Sequence, residues 1–311
     1  MKQKRLIKLI SLLFPLVFTT TLVVFGSSCN GDTSPAETDA VEVIVTLTPL
    51  AGFVEQVGGD KVIVNIMVPP GASPHTYAPT PSQLTKVSKA DMYVEVGSGI
   101  GFELSNMDAI EEANEEILVI DSSEGIELID IAEHHHEEED GNHESDHDHG
   151  TKDPHIWLSP VNAKIIVGNI CNGLIQVDPK NESLYIQNRD DYLQQLDQLD
   201  ADISSGLAEI TNRHFIVFHP AWGYFAHEYE LEQIPIEVEG KEPSARDLAH
   251  VIEEAQEHDI KIVFASPQFN ARSAEIIATD INGSVVLIDP LDKDYVDNLV
   301  NVLNEMVQAM E

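Results

Sequence analysis

The chain has 311 residues, 42% of them apolar, enough to build real cores in one large domain or two ordinary ones. Its 17 basic and 54 acidic residues give a formal net charge of −37, which argues against nucleic acid or anionic lipid as the main partner, since both require a basic surface. Two cysteines, Cys29 and Cys171, exclude a disulfide scaffold.

Residues 1–28 read as a signal peptide. Lys2, Lys4, Arg5 and Lys8 form a basic start, Leu9 to Phe25 carries no charge, and Gly26-Ser27-Ser28 precedes Cys29. A cysteine after small residues resembles a lipoprotein signal, in which the thiol is acylated; Gly26 stands where an aliphatic residue is usual. Lipidation at Cys29, simple cleavage and an uncleaved anchor are the three readings, and each places the body outside the cytoplasm. Residues 29–40 form a polar tether.

From Val41 onward the sequence alternates. Val41–Thr48, Lys61–Pro69, Asp91–Val96 and Ile117–Asp121 are short runs rich in β-branched residues, each separated by a helix-sized stretch. This alternation predicts βα units and a mostly parallel four-stranded sheet in an N-terminal α/β domain over 41–180. Within it, Glu133–His149 has six histidines and eight acids in seventeen positions and no apolar residue, so it cannot bury surface and is expected as a loop.

Asn162–Val177 is apolar on one face, Asp178-Pro179 interrupts it, and Glu182–Ile210 continues with Leu184, Ile186, Tyr192, Leu193, Leu196, Leu199, Ile203 and Leu207 recurring at threes and fours, with acids and glutamines elsewhere. A helix of that length would reach about 43 Å at 1.5 Å per residue, which fits a strut over 181–211; an ordinary pair of core helices is the alternative. Four more strands, His214–His219, Gln233–Val238, Ile260–Ser266 and Ser284–Asp289, predict a second α/β domain over 212–311. Cys171, in the apolar helix, is expected as a buried thiol.

Of the seven histidines outside the loop, three stand at extended segments beside prolines: Pro74-His75, Asp153-Pro154-His155 and His219-Pro220. Asp289-Pro290 ends the last strand in the same way. Ligands of open α/β sheets collect at the carboxyl ends of strands, and three imidazoles with one carboxylate would make a tetrahedral zinc site. Taken singly, a histidine in such a place is more often a capping residue, so spacing alone does not decide. His214, His227, His250 and His258 are read as ordinary surface or packing residues.

Other chemistry is thinly represented. His143-Glu144-Ser145-Asp146-His147 matches the zinc-protease pattern, but it lies in the loop with nothing to pack it. Gly97-Ser98-Gly99-Ile100-Gly101 lacks full phosphate-loop spacing and reads as a turn. No nucleotide-binding G-x-x-x-x-G-K-[ST] occurs, so any ATP-driven step belongs to another chain.

Four segments taken together carry a resemblance. Gly71-Ala72-Ser73-Pro74-His75-Thr76-Tyr77-Ala78-Pro79-Thr80-Pro81, Asp153-Pro154-His155-Ile156-Trp157-Leu158-Ser159-Pro160, Phe218-His219-Pro220-Ala221-Trp222-Gly223-Tyr224-Phe225 and Ile288-Asp289-Pro290-Leu291 resemble, in order, the motifs of the metal-binding lipoproteins of zinc and manganese ABC transporters. Glu242-Pro243-Ser244-Ala245-Arg246 is similar to a further segment of that family, read as structural. The resemblance implies two α/β domains joined by one long rigid helix, with a metal site in the interdomain cleft. The implied ligands are His75 and His155 from the first domain and His219 and Asp289 from the second.

The same resemblance implies a non-enzymatic, monomeric binding protein on the outer face of the cytoplasmic membrane. It would capture Zn²⁺ as cargo and pass it to a membrane permease with a cytoplasmic ATPase. A histidine at the third ligand position, where manganese members tend to carry a carboxylate, favours zinc over Mn²⁺, because nitrogen donors suit zinc better. So does the His/acid loop between the first two ligands. His134, His135, His136, His143, His147 and His149 would then be auxiliary, weak zinc ligands. A manganese or iron binder, and a surface adhesin or metal buffer without a transporter, are the alternative functions.

Overall fold

The computed structural model describes residues 40–131, 152–237, 241 and 243–310. Asp39–Glu311 forms one compact unit. The signal segment with Cys29 and the six loop histidines lie outside the described residues.

Both expected sheets are present, and both are wholly parallel. Strands β1 (Val41–Val45), β2 (Val62–Ile66), β3 (Met92–Glu95) and β4 (Leu118–Asp121) lie in the order β2-β1-β3-β4. Strands β5 (His214–Val217), β6 (Glu232–Pro235), β7 (Ile262–Ala265) and β8 (Ser284–Leu287) repeat it as β6-β5-β7-β8. In each sheet the order reverses beside the first strand, which opens a crevice at the strand carboxyl ends where loops can converge on a ligand.

Nine helices among the described residues cover these sheets: α1 (Thr48–Gly58), α2 (Pro81–Val87), α3 (Gly101–Ala113), α4 (Pro160–Val177), α5 (Glu182–Leu207), α6 (Gly223–Glu228), α7 (Ala245–Glu257), α8 (Arg272–Asp280) and α9 (Tyr295–Met310). Helix α5 has 26 residues, about 39 Å of rod. It buries Tyr185, Tyr192, Leu196, Leu199, Ile203 and Leu207, spaced by seven, three or four, so that one stripe faces inward along its whole length. That stripe packs on α1, α4 and α9. One apolar core therefore runs from β1 through α5 to Phe215, Val217 and Leu299 of the second half. The alternation of β5 divides the second half: Phe215 and Val217 join this core, whereas Ile216 and Phe218 point to a separate core against α7 and α8.

Further contacts bind the halves. The Trp157 indole N–H donates to the Pro290 carbonyl at 2.7 Å, the Phe53 and Tyr295 rings meet edge-on at 4.9 Å, and Lys293 pairs with Glu55. Among the described residues no helix is long and apolar enough to cross a membrane.

Candidate metal centre

Each of the three candidate histidines is held by a different local device. His75 follows β2 in a loop where the Ser73 hydroxyl accepts the His75 N–H and the Pro74 carbonyl accepts Phe102 N–H, at 3.3 and 2.8 Å. A side chain at Gly101 would have its Cβ 3.0 Å from the His75 carbonyl oxygen, so glycine lets α3 start this close to the loop without crowding it. His155 precedes a short 3-10 turn (Ile156–Leu158) that leads into α4, whose first turn is capped by Ser159 and opens on Pro160. His219 stands two residues past β5, and its ring lies over Phe269, with centroids 4.6 Å apart and planes 29° apart.

These three side chains meet. Nε2 of His219 is 3.2 Å from Nε2 of His75 and 3.2 Å from Nε2 of His155. Tetrahedral coordination at Zn–N distances of about 2.0–2.1 Å would separate two donor nitrogens by 3.3–3.4 Å. His155 and His219 are buried, at 4% and 8% exposure, and His75 is half-buried. Among the described residues this is the one group of three or more metal-ligating side chains with ligand atoms mutually within 4.8 Å.

The tautomers are fixed from behind. His155 Nδ1 donates to Asp153 Oδ1 at 2.7 Å, and the same oxygen accepts the His155 backbone N–H at 2.9 Å. His219 Nδ1 donates to Glu237 Oε2 at 2.5 Å. A carboxylate only accepts, so the proton sits on Nδ1 and the Nε2 lone pair faces the centre. Burial, together with the neighbouring imidazoles, lowers His75 to about 3 and also pushes His219 down. At neutral pH these two rings are uncharged, the state a metal requires.

Asp289 is placed differently. It is half-buried, and its Oδ1 accepts the Gln268 amide N–H at 2.6 Å and the Leu291 backbone N–H at 2.8 Å. It is not part of the compact histidine group. Gln268 and Phe269, with Trp157, line the cavity that the three imidazoles enclose.

Asp153, Glu237, Gln268 and Phe269 did not emerge as functional from the sequence. Asp153 had a signal, two residues before a candidate histidine. Glu237 needs the sheet register: Val217 pairs with Pro235, so the residues two further on, His219 and Glu237, stand side by side at the end of neighbouring strands.

Gly97 and Gly99 have φ of 79° and 91°, and the Val96 and Gly97 N–H groups donate to the buried Glu103 carboxylate at 2.6 and 3.0 Å. The chain's own acid thus fills the place an anion would take, and the segment is a turn. Cys171 is a buried free thiol. His214 and His258 stack at 3.6 Å and pair with Glu232 and Glu254, away from the metal centre. Ser244 caps α7 with Asp247 in a capping box, a structural role.

Comparison with known proteins gives the same picture. The model of the family described as ZnuA, zinc-uptake complex component A, periplasmic, matches residues 43–309. The chain belongs to the ZnuA family. It is 30% identical over 291 residues to the high-affinity zinc uptake system protein ZnuA of Bacillus subtilis, covering 92% of this chain and 90% of that one. A crystal structure of ZnuA superposes with a TM-score of 0.81 at 38% identity, covering 88% of this chain and all of that one. A zinc-bound deletion mutant of ZnuA superposes with a TM-score of 0.79 at 38% identity, covering 88% and 99%. ZnuA proteins are transport binding proteins and not enzymes, and this ZnuA-family chain has their fold and a three-histidine site at its centre.

Proposed function

We propose that this chain captures Zn²⁺ outside the cytoplasmic membrane and hands it to a membrane permease driven by a cytoplasmic ATPase. The observation that carries the reading is the convergence of three Nε2 atoms, two of them backed by carboxylates, in a nitrogen-only cluster. Nitrogen donors favour zinc over the harder manganese ion, and the zinc-uptake relatives agree.

His75, His155 and His219 provide three coordination positions, and the fourth goes to Asp289 or to water. Because His155 and His219 come from opposite halves, bound metal ties the halves together and stabilises the fold by linkage. Helix α5 and the Trp157–Pro290 contact limit closure to small tilts, so release requires the permease to separate the halves. His134, His135, His136, His143, His147 and His149 hold further zinc weakly and raise its local concentration, and acylation of Cys29 tethers the protein to the membrane. Elemental analysis of protein purified without added metal, followed by competition between zinc and manganese, tests the cargo: zinc at one per chain, undisplaced by equimolar manganese, is expected.

A further inference from the structure

The wall of the metal cavity contains an unsatisfied acceptor. Gln268 Oε1 is buried and has no hydrogen-bond partner among the described residues, although Gln268 lines the cavity with all three histidines. A buried amide oxygen left without a donor keeps its desolvation cost uncompensated, so its persistence calls for a partner that arrives with the ligand. The orientation of the amide is set by chemistry. Asp289 Oδ1 already accepts the Leu291 N–H and offers only lone pairs, so the Gln268 atom that faces it at 2.6 Å must be the NH₂ group. The oxygen is left on the other branch of the amide, without a donor. Asp289 is itself anchored by Asn298, whose amide donates to its carbonyl at 2.7 Å.

We propose that Gln268 holds the fourth position of the metal: Oε1 accepts a hydrogen bond from a metal-bound water, while Asp289 fixes the amide from behind. The proposal rests on the reading of the histidine triad as a metal site and chooses between the two occupants of its fourth position. It gives the site a regular plan. Asp153 acts through His155, Glu237 through His219, and Asp289 through Gln268 and the water, so each carboxylate stands one group away from the cation. Three negative charges then face a divalent ion without direct carboxylate coordination, and a harder, oxygen-seeking cation gains less from the site.

The test uses zinc and the full chain. Gln268→Leu removes the acceptor, whereas Asp289→Asn keeps an oxygen that can accept from Gln268 and Leu291. Zinc affinity, measured by chelator competition, should fall about 10-fold in Gln268→Leu and no more than about 3-fold in Asp289→Asn. The crystal structure of the zinc-loaded wild type should show a solvent oxygen between zinc and Gln268 Oε1. Thermal melting of the metal-free variants checks folding, and Gln268→Met serves if the leucine variant does not fold. A carboxylate oxygen of Asp289 or Oε1 itself bound directly to zinc would overturn the proposal, as would a 100-fold loss in Asp289→Asn beside an unchanged Gln268→Leu. Absence of tight zinc from the wild type would instead refute the metal-site reading itself.

Discussion

Asp153 and His155 form a closed pair in which one carboxylate oxygen accepts both the ring Nδ1–H and the backbone N–H of the same histidine, at 2.7 and 2.9 Å. The ring can neither rotate nor change tautomer without breaking one of these bonds. Asp153 is 1% exposed, and its own carbonyl accepts the Tyr224 hydroxyl from the second half at 3.1 Å. Orientation of a first-half ligand thus depends on a second-half side chain. Removal of an outer hydrogen-bond partner of a ligating histidine typically lowers metal affinity by about 10–100-fold. Asp153→Ala and Glu237→Ala should each weaken zinc within that range, measured by competition with a chromophoric chelator. A change below about twofold would mean that the triad holds its geometry unaided.

Gly223 opens α6 directly against Asp153. A Cβ at this position would lie 2.1 Å from Asp153 Oδ2, too close for the carboxylate to remain. Gly223→Ala should therefore reproduce most of the zinc-affinity loss of Asp153→Ala, with a stability cost of about 1–3 kcal/mol from overpacking. The double variant should be little worse than either single one, since both remove the same support. Additive losses in a denaturation and binding cycle would refute the shared mechanism.

Acid should destabilise the metal-free protein partly through His75. Its folded pKa of about 3 lies below the ordinary 6.5, so between these values the unfolded chain binds the proton and the folded one does not. The corresponding stability is complete above pH 6.5 and is lost progressively as pH falls toward 3; at pH 5 the loss is about 2 kcal/mol at 1.36 kcal/mol per unit. His219 shifts in the same direction. Urea unfolding at pH 7 and pH 5 should show a smaller difference for His75→Asn than for wild type. Equal differences would show that His75 titrates normally in the folded state.

Much of this architecture is legible in the sequence because its signals are local. The β-branched runs mark all eight strands of the two sheets, and the stripe from Tyr192 to Leu207 marks α5. The three histidines stand out because each lies beside a proline in a segment that resembles a motif of the metal-binding lipoproteins. The support behind them is less visible. Glu237 reaches His219 through strand register, and Gln268 reaches Asp289 across 21 residues; neither spacing has a local signature. For Asp289 a motif gives the residue, whereas the Gln268 and Leu291 hydrogen bonds that hold its carboxylate come from the folded structure.

The His/acid segment offers a separate prediction, drawn from composition alone. Deletion of residues 133–149 should abolish weak zinc equivalents in a calorimetric titration and leave one tight equivalent at the triad. Loss of the tight equivalent would assign that segment a share in the primary site.

The most direct measurement is the zinc content of the purified chain and of His219→Ala. His219 is the hub, since its Nε2 contacts both other ligand nitrogens at 3.2 Å. One zinc per wild-type chain is expected and none tightly held by the variant, with the metal-free fold retained in its circular dichroism. Zinc retained at one per chain in His219→Ala would contradict the assignment of the three-histidine cluster as the cargo site.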